Sequence, residues 1–335
     1  MTALVISQIE VRKLLPMDAC IDLMAEALAT LSRGDAINPL RTGIRLPNNL
    51  GILGMMPCYM ERPKALGLKV VAVFPGNHGT EYDSHQGVVV LFDAEHGVPL
   101  AIVDASEITA IRTAATTGVA TRLLAREEAT DLAILGSGVQ ARTHLEAMRV
   151  VRNIERVRIY SPNRGHRERF ATEEGRRHGI SVIATASAQQ AVDGAEIVCT
   201  TTSSHDPVLR GEWIASGCHV NAVGSSVRFA RELDTAAVVR SRLFVDRRES
   251  TVSEAGDFLF PKEEGAIDDD HIVGEIGDIL LGKLAGRQSP DEITLFKSLG
   301  LAVEDLAAAH YVYQRAEAEG VGTAVDLGGL KHAPT

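Results

Sequence analysis

The first third of the chain combines one amphipathic segment with several short apolar runs. Residues 17–34 place apolar side chains at helical spacing and end at Gly34, which predicts a helix. The short runs that follow are separated by Gly, Pro and Asn, as strands are. The predicted strands cover residues 51–60, 65–74, 85–93 and 99–105. This part of the chain therefore predicts a mostly β domain with a leading helix.

The pattern changes at Glu107. Residues 107–125 are rich in Ala, Thr and Leu and predict one helix, and residues 299–320 predict another. Between them, short apolar runs alternate with amphipathic ones. The predicted strands cover 131–136, 155–161, 180–185, 196–202, 218–224 and 242–246, and the predicted helices cover 139–151, 166–179 and 187–195. Apolar strands separated by helices indicate an α/β fold with a parallel sheet covered on both faces.

A glycine-rich turn joins the first of these strands to its helix. The segment Gly136-Ser137-Gly138-Val139-Gln140-Ala141 has the GxGxxA spacing of a dinucleotide-binding turn. Gly136 permits a tight turn, Gly138 lets backbone amides approach a pyrophosphate, and Ala141 lets helix and strand pack closely. The strand–turn–helix context favours a Rossmann-type domain that binds NAD(P). The alternative is a glycine-rich turn in an α/β protein without a cofactor.

The end of the second strand bears on the choice between NAD and NADP. An NAD site usually has Asp or Glu there, bonded to the ribose 2′-hydroxyl. Here Tyr160 is followed by Ser161, Asn163 and Arg164, without a carboxylate. Because Arg pairs with phosphate through two hydrogen bonds, these side chains favour the 2′-phosphate of NADP(H). The alternative is that Arg164 simply begins a solvated helix.

The composition narrows the class of protein. The chain has 335 residues, of which 45% are hydrophobic and 23% charged, and its formal net charge is −10. The length suggests two domains, and the acidic balance argues against nucleic-acid and membrane-surface roles, which need a basic face. No apolar run reaches the ~20 residues of a membrane helix, and the N-terminus lacks the apolar core of a signal peptide. We therefore expect a soluble cytoplasmic protein.

Neither the cysteines nor the acidic residues predict a metal site. The four cysteines are widely spaced and form no CxxC pair, which favours reduced thiols over a disulfide framework or a zinc site. The acidic segment 268–271 is expected to be a solvated loop, because runs of like charge usually are.

Three basic side chains stand in unusual sequence contexts. Arg41 leads into a strand, Lys69 lies inside an apolar strand, and Arg112 lies in the otherwise chargeless stretch AIRTAATTG. An ammonium buried without a partner is costly, so Lys69 must face solvent or have a partner. The helix dipole also favours an anion near Arg112. One interpretation is a site for a small carboxylate next to the cofactor, and the other is an exposed rim of charge.

Further segments carry a family resemblance over nearly the whole chain. They are RTGIRLP (41–47), LGMMPCY (53–59), SHQGVVVLFD (84–93), EITAIRTAATTGVAT (107–121), LAILGSGVQARTH (132–144), GEWIASGCHVNAVGSS (211–226) and TLFKSLGLAVEDLAAA (294–309). Together they resemble the ornithine cyclodeaminase/mu-crystallin family. The resemblance implies a homodimer with a Rossmann domain, here 116–304, and a discontinuous, mostly β α+β domain for substrate binding and dimerisation, here 1–115 with 305–335.

The resemblance also implies roles for individual residues. Arg41, Lys69 and Arg112 match positions that bind the substrate carboxylate and lie near the reacting nitrogen. The positions on the pyrophosphate turn and near the ribose and nicotinamide are matched by Gly136, Gly138, Val139, Gln140, Thr113, Val223, Gly224 and Ser225. A part in the site is left open for His85 and Asp305.

One position separates branches of this family. Cyclodeaminases, and the family's alanine dehydrogenases, have an acidic residue in the segment after the strand 218–224, where it engages the substrate's amino group. This chain has Ser226 there, and the ketimine reductase mu-crystallin also has a serine. A carboxylate would bind a cationic diamine and take a proton from it, which a serine does poorly. The sequence therefore favours the ketimine reductase branch.

The expected activity is NAD(P)H-dependent reduction of a C=N bond next to a carboxylate. The leading substrates are the cyclic ketimines 1-pyrroline-2-carboxylate and 1-piperideine-2-carboxylate. Arg41 and Arg112 would clamp the carboxylate, while Lys69 would tune or relay the proton and Ser226 would at most place a hydrogen bond or a water. The alternatives are an ornithine or lysine cyclodeaminase with tightly bound NAD and an alanine-dehydrogenase-like enzyme. A non-catalytic dinucleotide-binding protein is disfavoured because all three cations are present.

Overall fold

The computed structural model describes residues 2–77 and 79–327. The elements of the N-terminal part are β1 (Thr2–Ile6), α1 (Gln8–Leu14), α2 (Met17–Arg33), β2 (Ala36–Ile37), β3 (Thr42–Arg45), β4 (Ile52–Glu61), β5 (Lys64–Val73), β6 (His85–Phe92), β7 (Pro99–Asp104) and α3 (Ala105–Leu124). Those of the central part are β8 (Asp131–Leu135), α4 (Val139–Val151), β9 (Arg156–Tyr160), α5 (Arg164–His178), β10 (Ser181–Ala184), α6 (Ala188–Val192), β11 (Ile197–Thr200), β12 (His219–Ala222), α7 (Thr235–Val239), β13 (Arg242–Val245), α8 (Arg248–Glu254), α9 (Gly256–Glu263), β14 (Ile272–Glu275), α10 (Ile276–Leu280) and β15 (Thr294–Lys297). The C-terminal elements are α11 (Ala302–Glu319) and β16 (Thr323–Asp326).

The described residues form two compact units. The first comprises the residues up to Arg112 together with those from Leu301 onwards, and the second comprises Thr113–Gly300. The first unit is therefore discontinuous in sequence. Within it, helix α11 packs against α2, β4 and β5, so the end of the chain completes the core of its beginning.

The sheet of the first unit buries one of its faces against helix α11. Its strand order is β16-β1-β7-β6-β5-β4-β2, with β3 also paired to β4. Strands β4 to β7 are antiparallel neighbours, so side chains alternate between the two faces. A Cβ on Gly67 of β5 would lie 2.7 Å from Leu306 of α11, so the side chains that share the face of Gly67 point towards that helix.

The sheet of the second unit is parallel throughout, with the order β10-β9-β8-β11-β12-β15-β13-β14. Its first five strands follow the Rossmann order 3-2-1-4-5. The residues of β8, β11 and β12 are buried along their whole length, as strands covered on both faces are. The predicted α/β fold with a parallel Rossmann-type sheet is confirmed.

Each strand and helix that the sequence predicted is present, with ends that differ by a few residues. The sequence analysis missed the short elements β1, α1, β2, α7 to α10, β14, β15 and β16. Strand β15 spans Thr294–Lys297 and is too short to show a period of its own. Within the described part of the chain, no helix has both the length and the apolar character that a membrane crossing requires.

Candidate active site

Lys69 lies in β5, on the face of the sheet that packs against α11. Its cross-strand neighbours are Met56 on β4 and Val89 on β6, and both are buried. The Lys69 side chain is itself only 3% exposed. The structure therefore does not place Lys69 in an exposed rim of charge, and the cost of burying its ammonium has to be offset by polar partners.

The charged partner of Lys69 is Asp305, in the first turn of α11. Lys69 Nζ lies 3.0 Å from Asp305 Oδ1 and donates a hydrogen bond of 2.6 Å to Thr109 Oγ1. Arg112 donates from Nε to the same Asp305 oxygen and from Nη1 to Glu304 Oε2, both at 2.8 Å. Two cations and two carboxylates thus form one buried cluster whose formal charges cancel, and the N-terminal dipole of α11 adds to the stabilisation of both carboxylates.

The electrostatics of this cluster suit proton exchange. Burial lowers the pKa of Lys69 to about 8, although Asp305 opposes the shift by stabilising the ammonium. Lys69 is therefore protonated at neutral pH but close to the point at which it loses its proton. Asp305 Oδ2 is buried and has no hydrogen-bond partner among the described residues. That oxygen is a ready acceptor for an N–H group of a ligand.

Arg41 lies at the level of this cluster according to the strand register. It immediately precedes β3 and is partly exposed. Thr42 pairs with Met55, and Met56 pairs with Lys69, so one further step of the register brings the Arg41 backbone level with Lys69. Two strand spacings separate the backbones by about 10 Å. Contact of the Arg41 side chain with the substrate carboxylate stays a prediction.

The glycine turn after β8 has the local geometry of a dinucleotide-binding turn. Gly136 has a φ of +114°, and a Cβ there would lie 2.6 Å from the Thr201 carbonyl oxygen, so only glycine fits without strain. Gly138 is the N-cap of α4, and a Cβ there would meet no atom within 4 Å. Val139, the first residue of α4, is exposed, and Gln140 Oε1 is buried without a hydrogen-bond partner in the described residues. An approachable helix N-terminus of this kind suits a pyrophosphate.

The side chains after β9 start helix α5. Ser161 is buried, and its Oγ donates to the Asn163 carbonyl at 3.4 Å. Asn163 is the N-cap of α5, since its side chain accepts from the His166 N–H at 3.0 Å. Arg164 is 78% exposed and pairs with Glu168 at 2.6 Å, one turn along the helix. In this structure Arg164 therefore begins a solvated helix, and its pairing with a phosphate stays a prediction.

The segment Val223-Gly224-Ser225 after β12 is held by a residue that the sequence analysis missed. The carboxylate of Glu232 is fully buried and accepts from the Gly224 N–H at 2.7 Å and from the Thr202 N–H at 2.6 Å. A Cβ on Gly224 would lie 2.2 Å from the Thr202 carbonyl oxygen. The loops after β11 and β12 are therefore so close that no larger residue fits at position 224. Nothing in the sequence distinguishes Glu232 from a solvated carboxylate in a loop.

Lys297 on β15 is a second missed residue, and here a signal existed. It is 1% exposed and pairs with Asp257 at 2.9 Å. The segment TLFK places a lysine at the end of an apolar strand, much as ALGLKVVAVF places Lys69. The signal was overlooked because the strand that carries Lys297 was itself not predicted.

Three further predicted residues lie on α3, in the loop after β12 and at the start of β6. Thr113 is buried on α3, directly after Arg112. Ser226 lies in the loop after β12 and is partly exposed. His85 is exposed at the start of β6, where its Nδ1 lies 3.1 Å from Ser84 Oγ and its N–H donates to a neighbouring side chain. This is hydrogen bonding at the edge of a strand.

The acidic segment 268–271, directly before the edge strand β14, forms a capped turn. The Asp268 side chain accepts from the Asp270 N–H at 3.0 Å, and Lys262 pairs with Asp269 at 2.6 Å. Across residues 2–77 and 79–327, no group of three or more His, Cys, Asp or Glu side chains could hold a metal ion.

The buried cluster predicts that Asp305 matters more for stability than an exposed partner in the same helix does. Asp305→Asn removes the carboxylate that pairs with both Arg112 and Lys69. Lys69 can respond by losing its proton, but Arg112 stays charged and buried. We therefore expect the free energy of unfolding to fall by about 3 kcal/mol, the lower end for a broken buried pair. Glu319→Gln breaks the half-exposed Arg315–Glu319 pair of the same helix and should leave the free energy of unfolding nearly unchanged. Urea unfolding measures both, and equal losses would contradict the ionic cluster.

Comparisons with known proteins identify the family of the chain. The model of the Ornithine cyclodeaminase/mu-crystallin family matches residues 1–320. A Delta(1)-pyrroline-2-carboxylate reductase of Bacillus cereus is 39% identical over 325 residues, which cover 97% of this chain and 100% of the relative. The ketimine reductase mu-crystallin of Mus musculus is 39% identical over 291 residues, or 86% of this chain and 88% of the relative.

Two solved structures share the fold over nearly the whole chain. The Thermococcus litoralis Delta(1)-pyrroline-2-carboxylate reductase, in complex with NADH and L-proline, is 41% identical, with a TM-score of 0.93 and coverage of 96% of this chain and 99% of that chain. An archaeal alanine dehydrogenase dimer with bound NAD is 31% identical, with a TM-score of 0.93 and coverage of 98% and 100%. The reductases are thus more similar to this chain in sequence than the dehydrogenase is, in agreement with the predicted ketimine reductase branch. The chain belongs to the ornithine cyclodeaminase/mu-crystallin family.

Proposed function

We propose that this protein uses NAD(P)H to reduce the C=N bond of a cyclic ketimine carboxylate. The substrate would be 1-pyrroline-2-carboxylate or 1-piperideine-2-carboxylate, and the product proline or pipecolate. The observation that carries the proposal is the buried cluster of Lys69, Arg112 and Asp305, which offers an organic acid two cations and an exchangeable proton. The names of the Bacillus cereus and Thermococcus litoralis relatives, which specify pyrroline-2-carboxylate, support it.

The second unit would bind the dinucleotide. The glycine turn fits it, because the N-terminus of α4 is approachable and the Gln140 Oε1 lacks a partner in the described chain. When bound, NAD(P)H supplies the hydride that adds to the imine carbon. The backbone amides that follow Gly138 would hold the pyrophosphate. Thr113 and the segment 223–225 would lie beside the ribose and the nicotinamide.

Arg112 and Arg41 would bind the substrate carboxylate. The hydrogen bonds from Arg112 to Asp305 and Glu304 use two of the five N–H groups of its guanidinium, so others remain for a ligand. A substrate carboxylate adds a negative charge to a cluster that is neutral overall. Arg41 would supply the matching positive charge, because an arginine keeps its proton at any working pH.

Lys69 would donate a proton to the imine nitrogen, and Asp305 would accept a hydrogen bond from the resulting N–H group. Breaking the C=N π bond places the hydride on carbon and requires one proton on nitrogen. With a pKa of about 8, Lys69 can give that proton up and regain it from solvent. The protonated imine accepts hydride more readily than the neutral one, and Asp305 Oδ2 would accept its N–H hydrogen. Asp305 would thus provide a negative charge that Ser226 cannot.

We favour NADPH over NADH as the reductant. No carboxylate follows β9, and Ser161, Asn163 and Arg164 gather at the N-terminus of α5 instead. The pair of Arg164 with Glu168 is exposed to solvent and contributes little to stability, so a bidentate bond to the 2′-phosphate can replace it. The Thermococcus litoralis relative has bound NADH, so both dinucleotides belong in the test.

The open face of the first unit's sheet fits a homodimer. Opposite the face that packs on α11, Leu68 pairs with Pro57 and Val90, and Val90 pairs with Ile102. These side chains form a row of partly or fully exposed apolar groups across four strands. Apolar patches of this kind mark protein interfaces. The archaeal alanine dehydrogenase of the same fold is a dimer, which supports this proposal.

A substrate panel tests the proposed function. Purified protein is mixed with each cyclic ketimine, with linear imino acids and with ornithine or lysine, using NADH and NADPH in turn. We expect the absorbance of the reduced nicotinamide to fall only with the ketimine carboxylates, and the value of kcat/KM to be higher with NADPH. Release of ammonia from ornithine without net loss of the reduced nicotinamide would identify a cyclodeaminase and contradict the proposal.

The pH profile of kcat/KM should report the proton on Lys69. Because burial lowers the pKa of Lys69 to about 8, the activity should fall as pH rises through that value. Asp305→Asn removes a carboxylate that raises this pKa, so the descending limb should move to lower pH. Lys69→Arg keeps its charge and should shift the limb to higher pH. A limb at the same pH in all three proteins would belong to the substrate imine instead.

A charge on the open sheet face should weaken the dimer. Val90→Glu places a carboxylate in the apolar row, where burial in an interface would be costly. We expect light scattering after gel filtration to show a dimer for the wild type and mainly monomer for this variant. Ile9→Glu, at an exposed apolar residue of helix α1, should remain dimeric. Equal dimer fractions in the two variants would place the interface elsewhere.

A further inference from the structure

The buried carboxylate of Glu232 joins the loops that follow two neighbouring strands. Its Oε2 accepts from Thr200 Oγ1 and the Gly224 N–H, both at 2.7 Å. Its Oε1 accepts from the Thr202 N–H at 2.6 Å and from Thr202 Oγ1 at 2.7 Å. Four donors saturate the two oxygens. Since Thr200 ends β11 and Gly224 follows β12, this carboxylate sets the spacing between the carboxyl ends of those strands.

The buried ammonium of Lys297 holds the same segment from the other side. It donates to the Ala222 carbonyl at 3.2 Å and to the Ser225 carbonyl at 2.5 Å, and it lies 2.9 Å from Asp257 Oδ2. The ammonium thus makes two hydrogen bonds to backbone carbonyls and one ion pair with a buried carboxylate. Asp257 in turn accepts from the Glu232 N–H at 2.8 Å, so the two charged residues belong to one network.

Stability alone does not explain why this network is ionic. Apolar side chains of similar volume often stabilise a core as well as buried ion pairs do. The network lies instead at the carboxyl ends of parallel strands, where ligands of this fold bind. Thr201, between two partners of Glu232, bonds to the Leu135 carbonyl at 3.0 Å and would be 2.6 Å from a Cβ on Gly136. Glu232 therefore contacts the residues on either side of Thr201, and Thr201 itself contacts the glycine turn.

We infer that Glu232 and Lys297 are positioning residues for the dinucleotide, which hold the segment 223–225 at a fixed distance from the turn 136–141. The inference rests on the proposed function, in which these two segments hold the nicotinamide and pyrophosphate ends of the cofactor. Neither side chain needs to touch the cofactor. A site with its spacing set in advance loses less entropy on binding. Hydride transfer depends on that spacing even more, because small misplacements of reacting groups cost large factors in rate.

Glu232→Gln tests the inference. The new amide presents one oxygen and one NH2 group, so the N–H of either Gly224 or Thr202 loses its acceptor. We expect the Kd of NADPH and NADH, measured by fluorescence titration without any imine, to rise about tenfold or more. The kcat of ketimine reduction should fall by a larger factor. The KM of the ketimine should change little, since Lys69 and Arg112 are untouched.

Glu196→Gln is the matched control. The Glu196 carboxylate also accepts from two backbone amides, those of Thr130 at 2.8 Å and Asp131 at 3.1 Å, but at the amino-terminal edge of the sheet. This variant should lose thermal stability and keep the dinucleotide Kd within about twofold of the wild type. If Glu232→Gln also lost thermal stability but kept the wild-type Kd and kcat, its carboxylate would be merely structural and the inference would be wrong.

A milder variant covers the case in which Glu232→Gln does not fold. Thr200→Val keeps the shape of the side chain and removes one donor to Glu232, so a smaller rise in Kd is expected. An unchanged Kd in folded Thr200→Val would also overturn the inference.

The proposed function and the inference about Glu232 and Lys297 can fail separately, because the titration of the dinucleotide omits the imine. A wild-type protein that binds NADPH but reduces no ketimine contradicts the proposed substrate alone, whereas one that binds neither dinucleotide overturns both.

Discussion

The first unit depends on the burial of one positive charge inside an apolar strand. Lys69 could not lie on the packed face of β5 without a carboxylate opposite, and that carboxylate comes from Asp305, 236 residues later in the chain. The ionic contact therefore requires the C-terminal helix to return to the N-terminal sheet. Asp305 lies in the first turn of α11, where the helix dipole also stabilises its carboxylate.

The second unit contains a comparable pair, and the contrast separates two uses of a buried lysine. Lys297 donates hydrogen bonds to two backbone carbonyls and forms an ion pair with Asp257, so three oxygens surround its ammonium. Lys69 has two partners among the described residues, Thr109 and Asp305, which leaves one N–H for a substrate. An ammonium that is enclosed by three oxygens of the protein holds the backbone in place. An ammonium that keeps an N–H for a substrate, with its pKa brought down to about 8 by burial, can exchange a proton.

The sequence predicted well where a local pattern has one physical meaning. The turn Gly136–Ala141 is such a case, because strand, tight turn and helix all follow one another in the chain. Lys69 and Arg112 were singled out because charge inside an apolar run is anomalous, but Asp305 was left open, since an acid in the first turn of a helix has an ordinary local explanation. Glu232 escaped for the same reason. Such partners become visible only once the topology brings distant segments together.

The balance of charge in the cluster bears on the choice of reaction. Lys69 and Arg112 are matched by Glu304 and Asp305, so the excess positive charge that a ligand meets would come from Arg41. A site with excess positive charge favours a ketimine carboxylate, which is anionic when its nitrogen is unprotonated and neutral overall when its nitrogen is protonated. Ornithine and lysine carry a net positive charge, and their second ammonium would find no further carboxylate at Ser226. Discrimination of this kind arises as much from the missing negative charge as from the cations that are present.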